Sequence, residues 1–164
     1  MKRVYSTFLI IMILALGGCT RDDVCSENTP TTPLLVIDFK DFSNPEVEKS
    51  VSGLSIVLLD ANNTVVIPTA STAQVSIPLD TRTDAIRLFF TMDTGADNEN
   101  IDLVTLTYQR EDIYVNRACS FKTIYNDLNG SLDTATDDDT WIRLINILNS
   151  TIENEDEAHI TILH

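Results

Sequence analysis

Three cysteines, two histidines, one tryptophan and 25 aspartates and glutamates are the side chains with the most chemistry to offer here. Cys19 follows Gly17 and Gly18, Cys25 comes six positions later, and Cys119 stands far off. An odd count asks for at least one thiol outside intrachain pairing. A nucleophilic thiol wants a histidine to take its proton and a third group to orient that histidine. Only His159 and His164 exist, and no ordering group is evident, so Cys–His catalysis is disfavoured. Two histidines five positions apart on a strand face opposite sides and cannot form a paired metal site. His159, set among acids, is expected at a surface or an edge.

The acids form two clusters, residues 93–102 ("DTGADNENID") and 126–139 ("NDLNGSLDTATDDD"). A calcium loop needs oxygens at fixed alternate positions, a turn glycine and a late bidentate glutamate. Gly130 comes one position early after Asp127 and Asn129, and no glutamate follows in that cluster. Both stretches are expected to be solvated loops, with no metal and no cofactor. There is no G-x-S-x-G, H-E-x-x-H, phosphate loop or dinucleotide fingerprint. Acids are plentiful enough that a hydrolase with a carboxylate pair stays among the alternatives. Trp141 could stack on a sugar, but Ile142, Leu144 and Ile145 around it favour a core position.

The chemistry of Cys19 depends on what precedes it. Lys2 and Arg3 give a basic start, residues 8–16 ("FLIIMILAL") are uncharged and apolar, and Gly17 and Gly18 are small. That is the three-part plan of a secretory leader. The run is too short for a membrane span of about 20 residues. Leu16-Gly17-Gly18-Cys19 also resembles a bacterial lipobox. The resemblance implies cleavage between Gly18 and Cys19 and a thioether-linked diacylglycerol on Cys19. Two or three acyl chains make a durable anchor where one does not. The following Arg21-Asp22-Asp23 resembles the signal that sends Bacteroidota lipoproteins to the cell surface. An acidic, solvated tether facing the periplasm is the other reading.

With Cys19 carrying lipid, Cys25 and Cys119 remain. Export delivers them to an oxidising compartment, where disulfides persist, so a Cys25–Cys119 bond is expected, against two buried free thiols. Closing 94 positions is worth roughly 4–5 kcal/mol at most on the chain-entropy account. Residues 20–32 read as an extended linker containing Pro30 and few apolar residues. A bond at Cys25 would leave about six residues, roughly 20 Å of reach, between lipid and fold.

From Pro33 onward, β-branched and aromatic runs alternate with polar turns. Strands are expected at residues 34–39, at 54–60 (nearly all apolar, hence buried on both faces), and again after a turn at 61–63. Residues 73–79 alternate cleanly, and Pro78 makes that strand an edge or a strand end. Residues 85–92 point Ile86, Leu88, Phe90 and Met92 one way; residues 101–109 point Val104, Leu106 and Tyr108 one way. Residues 112–119 follow after a very short turn, giving a hairpin that 121–126 continues. Residues 137–152 have helical spacing at Trp141, Leu144, Ile145 and Leu148. Their β-branched content, and the strand-like alternation of 158–164, favour a hairpin with 153–157 at its tip.

The expected fold is therefore all-β, a single antiparallel sandwich. The expected organisation is a leader over 1–18, a lipidated terminus and tether over 19–32, and the sandwich over 33–164. An immunoglobulin-like arrangement is a looser analogy. Cys25 precedes the first strand and no Tyr-x-Cys corner precedes Cys119. The formal charge of −14 repels nucleic acid and anionic lipid surfaces.

Three phrases, "CSENTPTTPLLVIDFKDFSNPE", "YVNRACSFKTIYN" and "TIENEDEAHITILH", resemble a domain-of-unknown-function family of small Bacteroidota lipoproteins. The resemblance spans most of the chain after the leader and implies an envelope lipoprotein with no assigned activity. The function expected is that of a non-enzymatic binding or structural module, held to the outer membrane by lipid. It would face the periplasm or the cell surface and meet another envelope protein. A surface carbohydrate-binding accessory protein is the alternative. Exposure of Trp141, Tyr108, Tyr114 and Tyr125 separates the two.

Overall fold

The computed structural model describes residues 24–133 and 139–164. The leader, the cleavage point at Gly18 and lipidation at Cys19 lie outside the described residues, as does the centre of the second acid cluster. Nine strands and no helix make up the described chain. Two compact units divide it, a large one of Thr31–Ile113 with Lys122–His164 and a small one that pairs residues 24–30 with Tyr114–Phe121.

The large unit is built from two sheets. The four-stranded sheet has the order β4 (Gln74–Ile77), β1 (Leu35–Lys40), β9 (Ile160–Leu163), β8 (Leu144–Ile147). The five-stranded sheet has the order β3 (Thr64–Thr72), β2 (Val51–Leu58), β5 (Ala85–Met92), β6 (Asn100–Asn116), β7 (Ser120–Asp133). Alternation dictates which side chains meet between them. Ile86, Leu88 and Phe90 of β5 and Val104, Leu106 and Tyr108 of β6 share one core with Ile37 and Phe39 of β1 and Ile160 and Ile162 of β9. The architecture is a β-sandwich. A Cβ placed on Gly130 of β7 would stand 3.0 Å from Ile145 Cγ2 of β8, so a side chain there would force Ile145 to shift.

Apolar runs without alternation occupy central positions. Leu54, Ser55 and Ile56 of β2 are consecutively buried between β3 and β5. Leu35, Val36 and Ile37 of β1 are likewise buried. The pair β1–β9 is parallel, in register Ile37↔Ile160 to Lys40↔Leu163, within sheets whose other described pairs are antiparallel. Strands of a parallel pair are typically covered on both faces, and all four residues of β9 are buried. In β2, Gly53 takes φ 51° where the register with β3 shifts. Its missing Cβ lets the Asp93 and Thr94 backbone approach, and Asp93 N–H donates to Ser52 O at 2.8 Å.

The edge assignment for residues 73–79 holds, since β4 ends its sheet and Pro78 falls just beyond it. The terminal hairpin holds as well, with β8 and β9 paired from Leu144↔Leu163 to Ile147↔Ile160. Its connection is longer than residues 153–157, because the chain first returns to β7. There Tyr125 and Ile152 exchange backbone hydrogen bonds of 3.1 and 2.7 Å.

Three expectations are corrected. No turn interrupts residues 110–111, and β6 runs unbroken to Asn116. The turn falls later, where Asn116 Oδ1 accepts from Cys119 N–H at 2.8 Å and Ser120 takes φ 62°. Residues 126–133 are not loop but the second half of β7. Its alternation buries Leu128 and leaves the polar neighbours facing water. His159 is core rather than surface or edge, because it enters the parallel β9 beside β1.

Candidate functional site

Cys25 and Cys119 are joined in a disulfide with Cα atoms 5.0 Å apart. Both belong to the small unit, together with an edge-on pair of rings, Tyr114 and Phe121, whose centroids lie 5.4 Å apart. Within the large unit, Thr123 N–H donates to Thr32 Oγ1 at 3.0 Å, which ties the roots of the two segments together. This sets the energetic value of the disulfide. In the unfolded chain it closes 94 positions. In a reduced folded chain the same thiols would still be confined within about 15 residues, and under three doublings of loop length separate these cases, at about 0.6 kcal/mol each. The Cys25→Ala/Cys119→Ala variant is therefore expected to lose about 2 kcal/mol in urea unfolding, well below the roughly 4–5 kcal/mol of the full loop. A loss of the larger size would mean that the small unit organises the large one.

The second group of interest surrounds the loop between β4 and β5. Tyr108 O–H donates to Asp80 O at 3.1 Å, and its oxygen faces Asp80 N–H at 3.1 Å. Tyr125 O–H donates to Leu79 O at 3.2 Å, and the two tyrosine rings meet edge-on at 5.1 Å. Arg110 reaches the same loop, with Nε on Asp84 Oδ1 at 2.6 Å and Nη1 on Thr81 O at 2.8 Å. The residue assigned to a turn from sequence is thus a clamp. Burial pushes both phenols up, Tyr125 to about 12.

The clamped loop forms one wall of a groove of about 460 Å³. Leu58, Val65, Val66, Leu79 and Ile86 line its apolar part, and Asp80 with Arg82 sits at its rim. A volume of this size suits a small ligand or an extended chain. The Arg82 guanidinium, and then its backbone N–H, hold the Asp80 carboxyl below its ordinary value. Asp60, across a neighbouring depression, is held down in the same direction by the Thr64 hydroxyl. A carboxylate pair for hydrolysis needs one partner raised to serve as acid; these two are both lowered. Each already accepts hydrogen bonds within its own loop, Asp80 from Arg82 and Asp60 from Asn62 and Thr64.

The remaining candidates are structural. In the first acid cluster, Asn98 Nδ2 donates to Asp93 Oδ2 and Gly95 N–H to Glu99 Oε2, each at 2.6 Å. Asp102 is buried and accepts from Ile142 N–H at 2.7 Å. Among the described residues no group of three ligating side chains converges on a point. Trp141 is buried, and its Nε1–H donates to Phe90 O at 3.1 Å. Tyr108 and Tyr125 are buried too, and only Tyr114 of the four aromatic candidates is exposed. A flat row of exposed rings is not what these four side chains form.

His159 carries information that its acidic neighbours hid. Its Nδ1 accepts from Val36 N–H at 3.2 Å, so a proton on Nδ1 would meet the amide hydrogen head-on. Burial lowers its pKa, opposed by a hydrogen bond to the Asn154 backbone and by the Glu155 charge. The unfolded chain therefore takes up a proton below about 6.5 that the folded chain refuses, and stability falls as pH falls through that window. For one proton the slope is bounded by about 1.4 kcal/mol per pH unit. Burial lowers the His164 pKa as well, so urea titrations from neutral pH downward are expected to show a shallower slope in His159→Gln than in the wild type; an unchanged slope in the variant would count against this assignment. The cue in the sequence was the apolar stretch that follows, since a strand covered on both faces buries its first residue as well.

No curated protein and no solved structure matches the chain. Residues 50–164 match the family of unknown function DUF6452. The match takes in β2 through β9, the clamped loop and Cys119, and begins after Cys25. Covering more than half of the sequence, it shows that the chain belongs to the DUF6452 family.

Proposed function

We propose that the protein is an exported envelope lipoprotein, anchored through Cys19 to the outer membrane, whose sandwich is a non-enzymatic binding or structural module. The observation that carries this reading is the Cys25–Cys119 disulfide. Disulfides persist in oxidising compartments, and this one lies six positions beyond a cysteine preceded by a basic, apolar and small-residue leader. Lipid on Cys19 accounts for the third thiol. The resemblance to Bacteroidota lipoproteins favours the same placement. The Arg21-Asp22-Asp23 run favours the outward face of that membrane. Within the module, the groove beside the Tyr108–Tyr125 clamp, apolar along Leu58, Val65, Leu79 and Ile86, is the place for a partner segment.

Metabolic labelling with an alkynyl palmitate tests the anchor. Label is expected on the wild type and absent from Cys19→Ala, with the variant leaving the membrane fraction. Label retained by the variant would overturn the assignment. The carbohydrate-binding alternative is less favoured, since Trp141, Tyr108 and Tyr125 are buried.

A further inference from the structure

We infer that the small unit is a lipid-contact surface, with Tyr114 and Phe121 seated in the headgroup region of the bilayer that carries the Cys19 anchor. The inference rests on the anchoring reading above. Three observations support it. First, the disulfide holds the turn of the β6–β7 hairpin to Cys25, six positions from Cys19, so the chain can carry this turn no more than roughly 20 Å from the lipid. Second, the turn exposes large apolar side chains. Tyr114 is 59% exposed and Phe121 60%, and Val24 beside the disulfide is 76% exposed. Tyrosine, with an apolar ring and a polar hydroxyl, collects at membrane–water interfaces, and Phe121 adds a purely apolar ring beside Tyr114. Third, the local charge differs from that of the chain. The sequence as a whole is at −14, yet residues 114–121 of the small unit hold Arg117 and no acid. Glu27 is the one acid among residues 24–30. Arg117 and Glu27 balance, and charges beyond about 8 Å are screened at physiological ionic strength, so the turn meets lipid phosphates without the repulsion of the total charge.

The occupant is a lipid surface and not a protein groove because the anchor makes membrane contact unimolecular. A short tether raises the local concentration of bilayer at the turn far above that of any diffusing partner. Two rings and one valine are too small a surface for a stable protein interface. They suffice to orient a body that the acyl chains already retain.

The test uses the lipidated protein in vesicles of phosphatidylethanolamine and phosphatidylglycerol with brominated acyl chains. Phe121→Trp supplies a reporter, against the buried Trp141 of the wild type. At a depth of about 5–10 Å the reporter is expected to lose about half of its emission to the bromines, with the wild type scarcely affected. Amide exchange on the unsubstituted protein gives a second measurement, with residues 114–121 expected to slow several-fold on vesicles. It decides the matter if the variant does not fold. Sedimentation with vesicles and the mass of the Cys19 adduct report on the anchor separately. An anchored chain with an unquenched reporter and unprotected turn overturns the lipid contact and leaves the anchor standing. Quenching without lipid on Cys19 upholds the contact and overturns the anchor. Protection in native membranes but not in pure lipid vesicles would assign the turn to a protein and overturn the proposal.

Discussion

Tyr125→Ala is expected to remove about 3–5 kcal/mol of stability and to lower Tm by about 10–20 °C. The side chain is fully buried, its ring packs on Tyr108, and its hydroxyl holds the Leu79 carbonyl. Its backbone is also the point where the β8–β9 connection is fastened to β7. Alanine therefore leaves a cavity where the core meets the wall of the groove. Tyr125→Phe keeps the ring and loses only the bond to Leu79, and about 1 kcal/mol is expected. Urea unfolding of the two variants separates ring from hydroxyl. Equal losses would place the energy in the hydrogen bond and contradict the packing account. Alkaline titration gives an independent check. The unfolded phenol ionises near 10 and the folded one at about 12, so stability falls as pH rises through that interval.

Trp141→Ala is expected to be as damaging, at about 3–5 kcal/mol. The indole lies against Phe39 and His164, with ring centroids at 6.4 and 5.6 Å, and donates to Phe90 O across to the other sheet. Alanine would remove the packing and leave the Phe90 carbonyl without this donor. The same burial bears on function. Emission from Trp141 is expected at short wavelength, with little response to a soluble quencher or to added oligosaccharide. An accessible, sugar-sensitive indole would restore the carbohydrate-binding reading.

Many of the strands and their buried faces were legible because burial imposes a period of two. Ile86, Leu88 and Phe90 reached the core in the alternation that their spacing announced, and Pro78 marked the end of an edge strand as its missing N–H requires. The terminal hairpin was legible for the same reason. Its helical spacing competed with β-branched content, and the pairing of Leu144 with Leu163 decided it. The turn at 110–111 misled because charge is common both in turns and on exposed strand faces. Arg110 lies on a strand and reaches Asp84, 26 positions earlier. The second acid cluster misled likewise, since a strand with one wet face tolerates Asn126, Asp127 and Asn129.

By itself the sequence determined the class of the fold, the core faces of β5 and β6, and the two cysteines that would pair if the third were occupied. These follow from local rules: the pleat, turn chemistry and the count of thiols. Only the tertiary structure decided that β1 and β9 run parallel, that His159 faces Val36 in the core, and that two tyrosines clamp one loop. It alone placed the disulfide beside an exposed ring pair at a hairpin turn. Each of these depends on residues tens of positions apart meeting in space. Strand order and parallel pairing set those meetings, and neither leaves a local period in the chain.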